Sequence, residues 1–131
     1  MTEKTNKMDI TKLKNNKYFK GDFREPNEYK GWFVGDFLDS AHPCKTDKLE
    51  VAYKEHEKGD VCKPHYHEQK VELIILLKGS AKYTVNGEEL ILHGGSYLFV
   101  DVNNIISSEY LEDSRIFAIH APSIPTDKVV V

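Results

Sequence analysis

From Gly31 to His120 the chain is a succession of short β-prone runs separated by turn residues, and that spacing leaves few folds open. Every strand edge carries backbone groups that need partners, so many short strands with no helix between them must close into a sandwich or barrel. The expected strands are Trp32 to Phe37, Leu49 to Glu57, Val61 to His67, Val71 to Lys78, Ala81 to Val85, Glu88 to Leu92, Ser96 to Val100, Ile105 to Tyr110 and Arg115 to His120. Asn86-Gly87 is the sharpest joint between them. Both central residues of a two-residue turn of the first primed type need positive φ, which Asn and Gly tolerate, so residues 81–92 should form a hairpin. Gly79-Ser80 and Gly94-Gly95 break the chain for the same reason.

At 131 residues, 40% of them hydrophobic and 30% charged, the chain has the size and balance of one soluble domain. No apolar run reaches the roughly 18 residues that cross a bilayer, and the opening Met1-Thr2-Glu3-Lys4 lacks a secretion signal's apolar centre. No membrane association is expected, and the cytoplasm is the expected location. Cys44 and Cys62 are too few for a disulfide framework and read as free thiols. Residues 1–20 hold six lysines against two acids, and the other 111 hold twelve bases against nineteen acids. An acidic body with a basic leader argues against a nucleic-acid partner. Residues 1–12 read as a flexible tail, residues 13–31 as an arm packing on the barrel or a partner subunit, and residues 32–131 as the barrel.

The run Val71 to Lys78 is apolar on both faces. Leu73, Ile75 and Leu77 lie on one side, and Ile74 and Leu76 lie beside Glu72 on the other. One face can fill the barrel. The second needs a cover, either the N-terminal arm or another copy of the chain, so a homodimer is expected.

The chemistry concentrates in residues 59–79. Side chains two apart on a strand share a face, so His65 and His67 present two imidazoles to one side. Glu72 lies five residues on, and a turn over Glu68 to Lys70 would let a neighbouring strand present its carboxylate beside them. Two imidazoles and a carboxylate suit divalent iron, manganese, nickel, copper or zinc and leave positions for substrate. A His-x-His pair can also be a solvated face, and Glu72 a rim carboxylate. Against this, a carboxylate sharing a face with Ile74 and Leu76 points into apolar surroundings, where it costs several kcal/mol unless paired.

This spacing resembles the first motif of the cupin superfamily, G(x)5HxH(x)4E(x)6G, at every fixed position: Gly59, His65, His67, Glu72 and Gly79. The resemblance implies an all-β double-stranded β-helix, the cupin jelly-roll barrel, as in small single-domain cupins. It also implies that His65, His67 and Glu72 line the interior and hold one divalent transition metal ion. The second motif, G(x)5PxG(x)2H(x)3N, is not kept: from Gly95 it places Asp101, Asn103, Ile106 and Tyr110 at its proline, glycine, histidine and asparagine. Isoleucine cannot coordinate a metal. His120, at the end of the last strand, is a candidate fourth ligand or a partner that orients Glu72, with a packing role at the rim as the alternative. His93 reads as a solvated turn residue, and His42 and His56 as surface residues.

Tyr53, Tyr83 and Phe99 are the expected inward rings for a small-molecule ligand, although aromatic strand residues also serve as plain core. The two prolines of the segment from Ala121 to Lys128 bar it from an interior strand, so it should wrap the barrel. Two functions stay open: a metal-dependent enzyme of the dioxygenase or isomerase/epimerase kind, and a non-catalytic module binding a sugar or metabolite.

Overall fold

The computed structural model describes residue 15 and residues 17–131; the expected tail over residues 1–12 lies outside them. Ten strands form: β1 (Trp32–Val34), β2 (Glu50–His56), β3 (Val61–Tyr66), β4 (Val71–Lys78), β5 (Ser80–Val85), β6 (Glu88–His93), β7 (Tyr97–Val100), β8 (Ile106–Tyr110), β9 (Ser114–Ala121) and β10 (Val129–Val130). They make two five-stranded sheets, in the orders β1-β2-β9-β4-β7 and β10-β3-β8-β5-β6, with every pairing antiparallel. This is the all-β jelly roll that the resemblance implied, and one form of the sandwich or barrel expected from the strand spacing. No helix among the described residues is long and apolar enough to cross a membrane.

The expected strands agree with these to within one or two residues, apart from the first, which stops at Val34 because Gly35 leaves extended geometry. The short β10, formed after the two prolines, pairs with the edge of β3. The hairpin of β5 and β6 turns at Asn86 and Gly87, with φ of 51° and 87°, as two-residue geometry requires. Gly79, the last glycine of the motif, has φ of 100°, and a Cβ there would lie 2.2 Å from Ser114 Oγ. Its hydrogen is what lets β4 turn into β5 against the start of β9.

Alternation along each strand decides what enters the barrel. Ile74, Leu76, Ala81, Tyr83, Leu92, Val100, Ile106, Tyr110 and Ile116 form one buried cluster between the sheets. Glu72, Ile74 and Leu76 point inward from β4, while Leu73, Ile75 and Leu77 point outward. Phe23 of the N-terminal arm covers part of the outer surface, packing on Tyr53 and Phe117 at centroid distances of 4.7 and 4.8 Å. Leu76 is wholly buried. Truncating it in Leu76→Ala should cost about 2–5 kcal/mol of unfolding free energy, read from urea denaturation, because the packed end of the barrel has no side chain free to fill the gap.

Candidate metal centre

Beside the packed cluster the barrel opens into a cavity of about 550 Å³. His65 and His67 reach it from the end of β3 and the turn after it, and Glu72 from the start of β4. β3 and β4 are not hydrogen-bonded neighbours, as the sequence suggested, but belong to opposite sheets. The turn over residues 67–70 crosses from one sheet to the other, so the imidazoles and the carboxylate meet across the barrel. The Asp127 carboxylate holds this turn, accepting the backbone N–H groups of Glu68, Gln69 and Lys70 at 2.8, 2.8 and 2.9 Å.

One donor atom from each of His65, His67 and Glu72 lies within 4.8 Å of the others, and all three residues are buried. The tautomers follow from the hydrogen bonds. A carbonyl oxygen only accepts, so His67 Nδ1–H donates to the Asp127 carbonyl and His65 Nδ1–H to that of Lys63, the latter at 2.9 Å. Each ring therefore keeps its lone pair on Nε2. Burial pushes the His65 pKa down, partly offset by the Lys63 hydrogen bond, which favours the neutral ring. His67 Nε2 and Glu72 Oε1 are both buried without a hydrogen-bond partner and stand 3.7 Å apart. Leaving such atoms unsatisfied costs about 1–3 kcal/mol each, and a divalent cation between them would satisfy both. The residues fit a metal.

His120 holds a different position from the other three. Its Nε2 lies 3.0 Å from Glu72 Oε2 and its Nδ1 3.2 Å from Glu50 Oε1. Both partners are carboxylates, so both ring nitrogens donate and the ring is an imidazolium. Burial would lower its pKa, but the hydrogen bonds to Glu50 and Glu72 outweigh that and raise it. A ring with both nitrogens engaged has no lone pair for a metal, which weighs against the ligand role offered for His120. The geometry favours the other role offered, a partner that orients Glu72. Burial likewise pushes the Glu72 carboxyl up, and the hydrogen bond and positive charge of His120 overcome it and hold the group ionised.

Behind His120 stand residues that the sequence did not single out. Glu50 accepts from Lys70 Nζ at 2.7 Å and from Ser123 Oγ at 3.2 Å. Lys70 and Glu50 are 4% and 3% exposed, so each depends on the other for its charge. Neither Glu50 nor Lys70 lies at metal-type spacing from the histidines. The one available signal was the strand alternation that places Glu50 on the same face of β2 as Ala52.

Of the expected inward rings, only Tyr83 lines the cavity, where its hydroxyl lies 2.7 Å from that of Tyr110. Tyr53 is turned outward, because Glu50, Ala52 and Lys54 take the inner face of β2, and Phe23 and Phe117 cover it. Phe99 is 56% exposed, since Leu98 and Val100 take the inner face of β7. His56, read as a surface residue, lines the cavity and stacks on Tyr110 at 4.1 Å. Ile106, at the second motif's histidine position, is 2% exposed and pairs with His65 across β3 and β8. Cys62 also lines the cavity, and both cysteines are free thiols.

Two facing sheets thus bring two imidazoles and a carboxylate together on the wall of one cavity, a donor set that could hold a cation. A sequence model of the cupin domain matches residues 53–105, and the fold and the complete first motif agree with it. Among solved structures the chain is similar to KdgF from a Halomonas species, with a TM-score of 0.59 and 22% identity over 61% of this chain and 74% of that one. A nucleoside dehydratase from Streptomyces gives 0.60 and 15% over 66% and 70%, and oxalate decarboxylase from Bacillus subtilis 0.57 and 16% over 65% and 24%. No curated protein matches the chain in sequence.

The buried pair gives a test of the network without any ligand. Lys70→Met should lower unfolding free energy by about 3–5 kcal/mol in urea denaturation, because it strands the Glu50 charge. Adding Glu50→Gln should recover part of the loss.

Proposed function

We propose that the chain is a metal-dependent cupin enzyme acting on a small molecule, with one divalent transition metal ion held by His65, His67 and Glu72. The observation that carries this reading is the buried pair His67 Nε2 and Glu72 Oε1, unpartnered and 3.7 Å apart beside His65. Such an ion would polarise a substrate carbonyl or, if it were iron, activate dioxygen. Among the solved neighbours, the Streptomyces dehydratase has been captured with uridine, a ligand of a size that a cavity of about 550 Å³ admits.

The chain's own groups supply binding and proton handling. Trp32, Tyr29 and Phe37 form an aromatic wall at the mouth. His56 donates from Nδ1 to Asp60 Oδ2 at 3.3 Å, which leaves Nε2 as an acceptor. Burial pushes the pKa of His56 below its ordinary value, so near neutral pH it is an uncharged base on the cavity wall. Burial pushes the Tyr110 hydroxyl up to about 12 and that of Tyr83 upward as well, so both keep their protons. His56 could then take a substrate proton while the tyrosines donate hydrogen bonds.

Ile106 in place of the fourth histidine favours a second reading, a module that binds a metabolite without turning it over. Elemental analysis should find about one ion per chain, lost on chelator dialysis and absent from His67→Ala; a variant retaining a full equivalent would refute the ligand set. His120→Gln should weaken metal binding about ten- to a hundredfold without abolishing it. An oxygen electrode and product analysis with metal-loaded protein and a panel of diols, keto acids and nucleosides should reveal turnover. Thermal stabilisation by a ligand without turnover would instead establish the binding module.

We further propose that a second copy covers the outer face of β4 and β7, where Leu73, Ile75 and Leu77 lie beside Tyr97 and Phe99. The arm's Phe23 packs on Tyr53 of β2 and Phe117 of β9, in the other half of that sheet. Light scattering at micromolar concentration should give twice the chain mass, and Phe99→Glu should halve it.

A further inference from the structure

Lysines Lys30, Lys54 and Lys128 all line the mouth of the cavity. The one carboxylate there besides the buried Glu50 and Glu72 is Glu28. Among the described residues no acid forms an ion pair with any of the three, although Lys45, Lys70 and Lys82 each have one. Lys54 is the inner member of the group. It projects from β2 on the same face as Glu50 and Ala52, is partly buried, and carries its Nζ 5.4 Å from the centre of the Trp32 ring. The same Trp32 ring packs against His120 at 4.9 Å, and His120 holds Glu72. One aromatic face thus joins the lysine to the candidate metal centre.

Charge deeper in the barrel is already matched. Lys70 and His120 stand against Glu50 and Glu72 in a single hydrogen-bonded chain. Nothing in that chain is left to neutralise the lysines at the mouth. A chain that is acidic overall has therefore gathered positive charge without ion-pair partners along the wall of this cavity. Lys30 and Lys128 are exposed, but Lys54 is partly buried; desolvating an ammonium without an anion is unfavourable, and a ligand that brings one removes the penalty.

We propose that the cavity takes an anionic small molecule, its carboxylate or phosphate held by Lys54 with Lys30 and Lys128, and its body lying along Trp32 toward His65, His67 and Glu72. This rests on the metal-dependent reading for what happens at the inner end, but the anion site itself needs no ion. Three cations around a single opening also raise the local concentration of anions and speed their entry, an effect that fades with salt.

Trp32 is the chain's single tryptophan, so its emission reports directly on this site. Metal-free protein, prepared by chelator dialysis, would be titrated with phenyl phosphate, benzoate and neutral benzyl alcohol, with emission and heat of binding followed together. The anions should saturate the signal and bind at least tenfold more tightly than the alcohol, and added salt should weaken them. The stronger of the two anions identifies phosphate or carboxylate as the natural group. Lys54→Gln should weaken anion binding at least tenfold, Lys54→Arg should restore most of it, and Lys128→Gln should give a smaller loss.

Metal content, measured on the same variants after reloading, should stay at the wild-type level. Equal affinity for the alcohol, no binding of either anion by emission and heat, or an unchanged Lys54→Gln variant would overturn the proposal. Retained anion binding in a protein that takes up no metal would overturn the metal centre and leave the anion site standing.

Discussion

A carboxylate inside an apolar barrel stays ionised only if cations surround it, and in this protein that requirement is met by a chain of four charges. Lys70 supports Glu50, Glu50 supports His120, and His120 supports Glu72. Every member is nine-tenths or more buried, so removing any one would strand its neighbour in a medium that solvates charge poorly. The consequence for the site is directional. Glu72 spends Oε2 on His120 and turns Oε1 toward His67, where no hydrogen bond waits for it.

The barrel is divided along its length by the same alternation. At one end the inward positions are Leu76, Ala81, Leu92 and Ile116, and the two sheets pack against each other. At the other, the inward positions of β2, β3, β4 and β9 are Glu50, His65, Glu72 and His120, and the sheets stand apart around the cavity. The C-terminal segment stabilises this open end. Asp127 supplies a carboxylate to the turn that crosses between the sheets and a carbonyl to His67, so one residue fixes both the path of the chain and the tautomer of a donor.

The cupin-domain match and the jelly roll go with the complete first motif, and the departure from the second is what distinguishes this site. Where the motif has a histidine, Ile106 adds an apolar wall beside His65. The opposite wall carries Trp32, Lys54 and His56, none of which belongs to either motif. The interior is thus asymmetric, with donor atoms at depth, a hydrophobic flank, and an aromatic and cationic entrance. Such a cavity orients a ligand by its polarity as well as its shape.

The sequence by itself determined which residues share a strand face and where the chain must turn. His65 and His67 on one side, Glu72 with Ile74 and Leu76, the Asn86-Gly87 hairpin and the loss of a ligand at Ile106 all follow from spacing within a few residues. Alternation gives relative faces and not which face looks inward, so Tyr53 and Phe99 could not be told from Tyr83 until the sheets were assembled. Only the tertiary structure decided that β3 and β4 lie in opposite sheets, that Glu50 meets His120 and Lys70, and that Asp127 reaches His67. Those contacts join residues from 20 to 70 positions apart, and hydrogen bonds over such separations are set by the way the sheets close, which no local periodicity encodes.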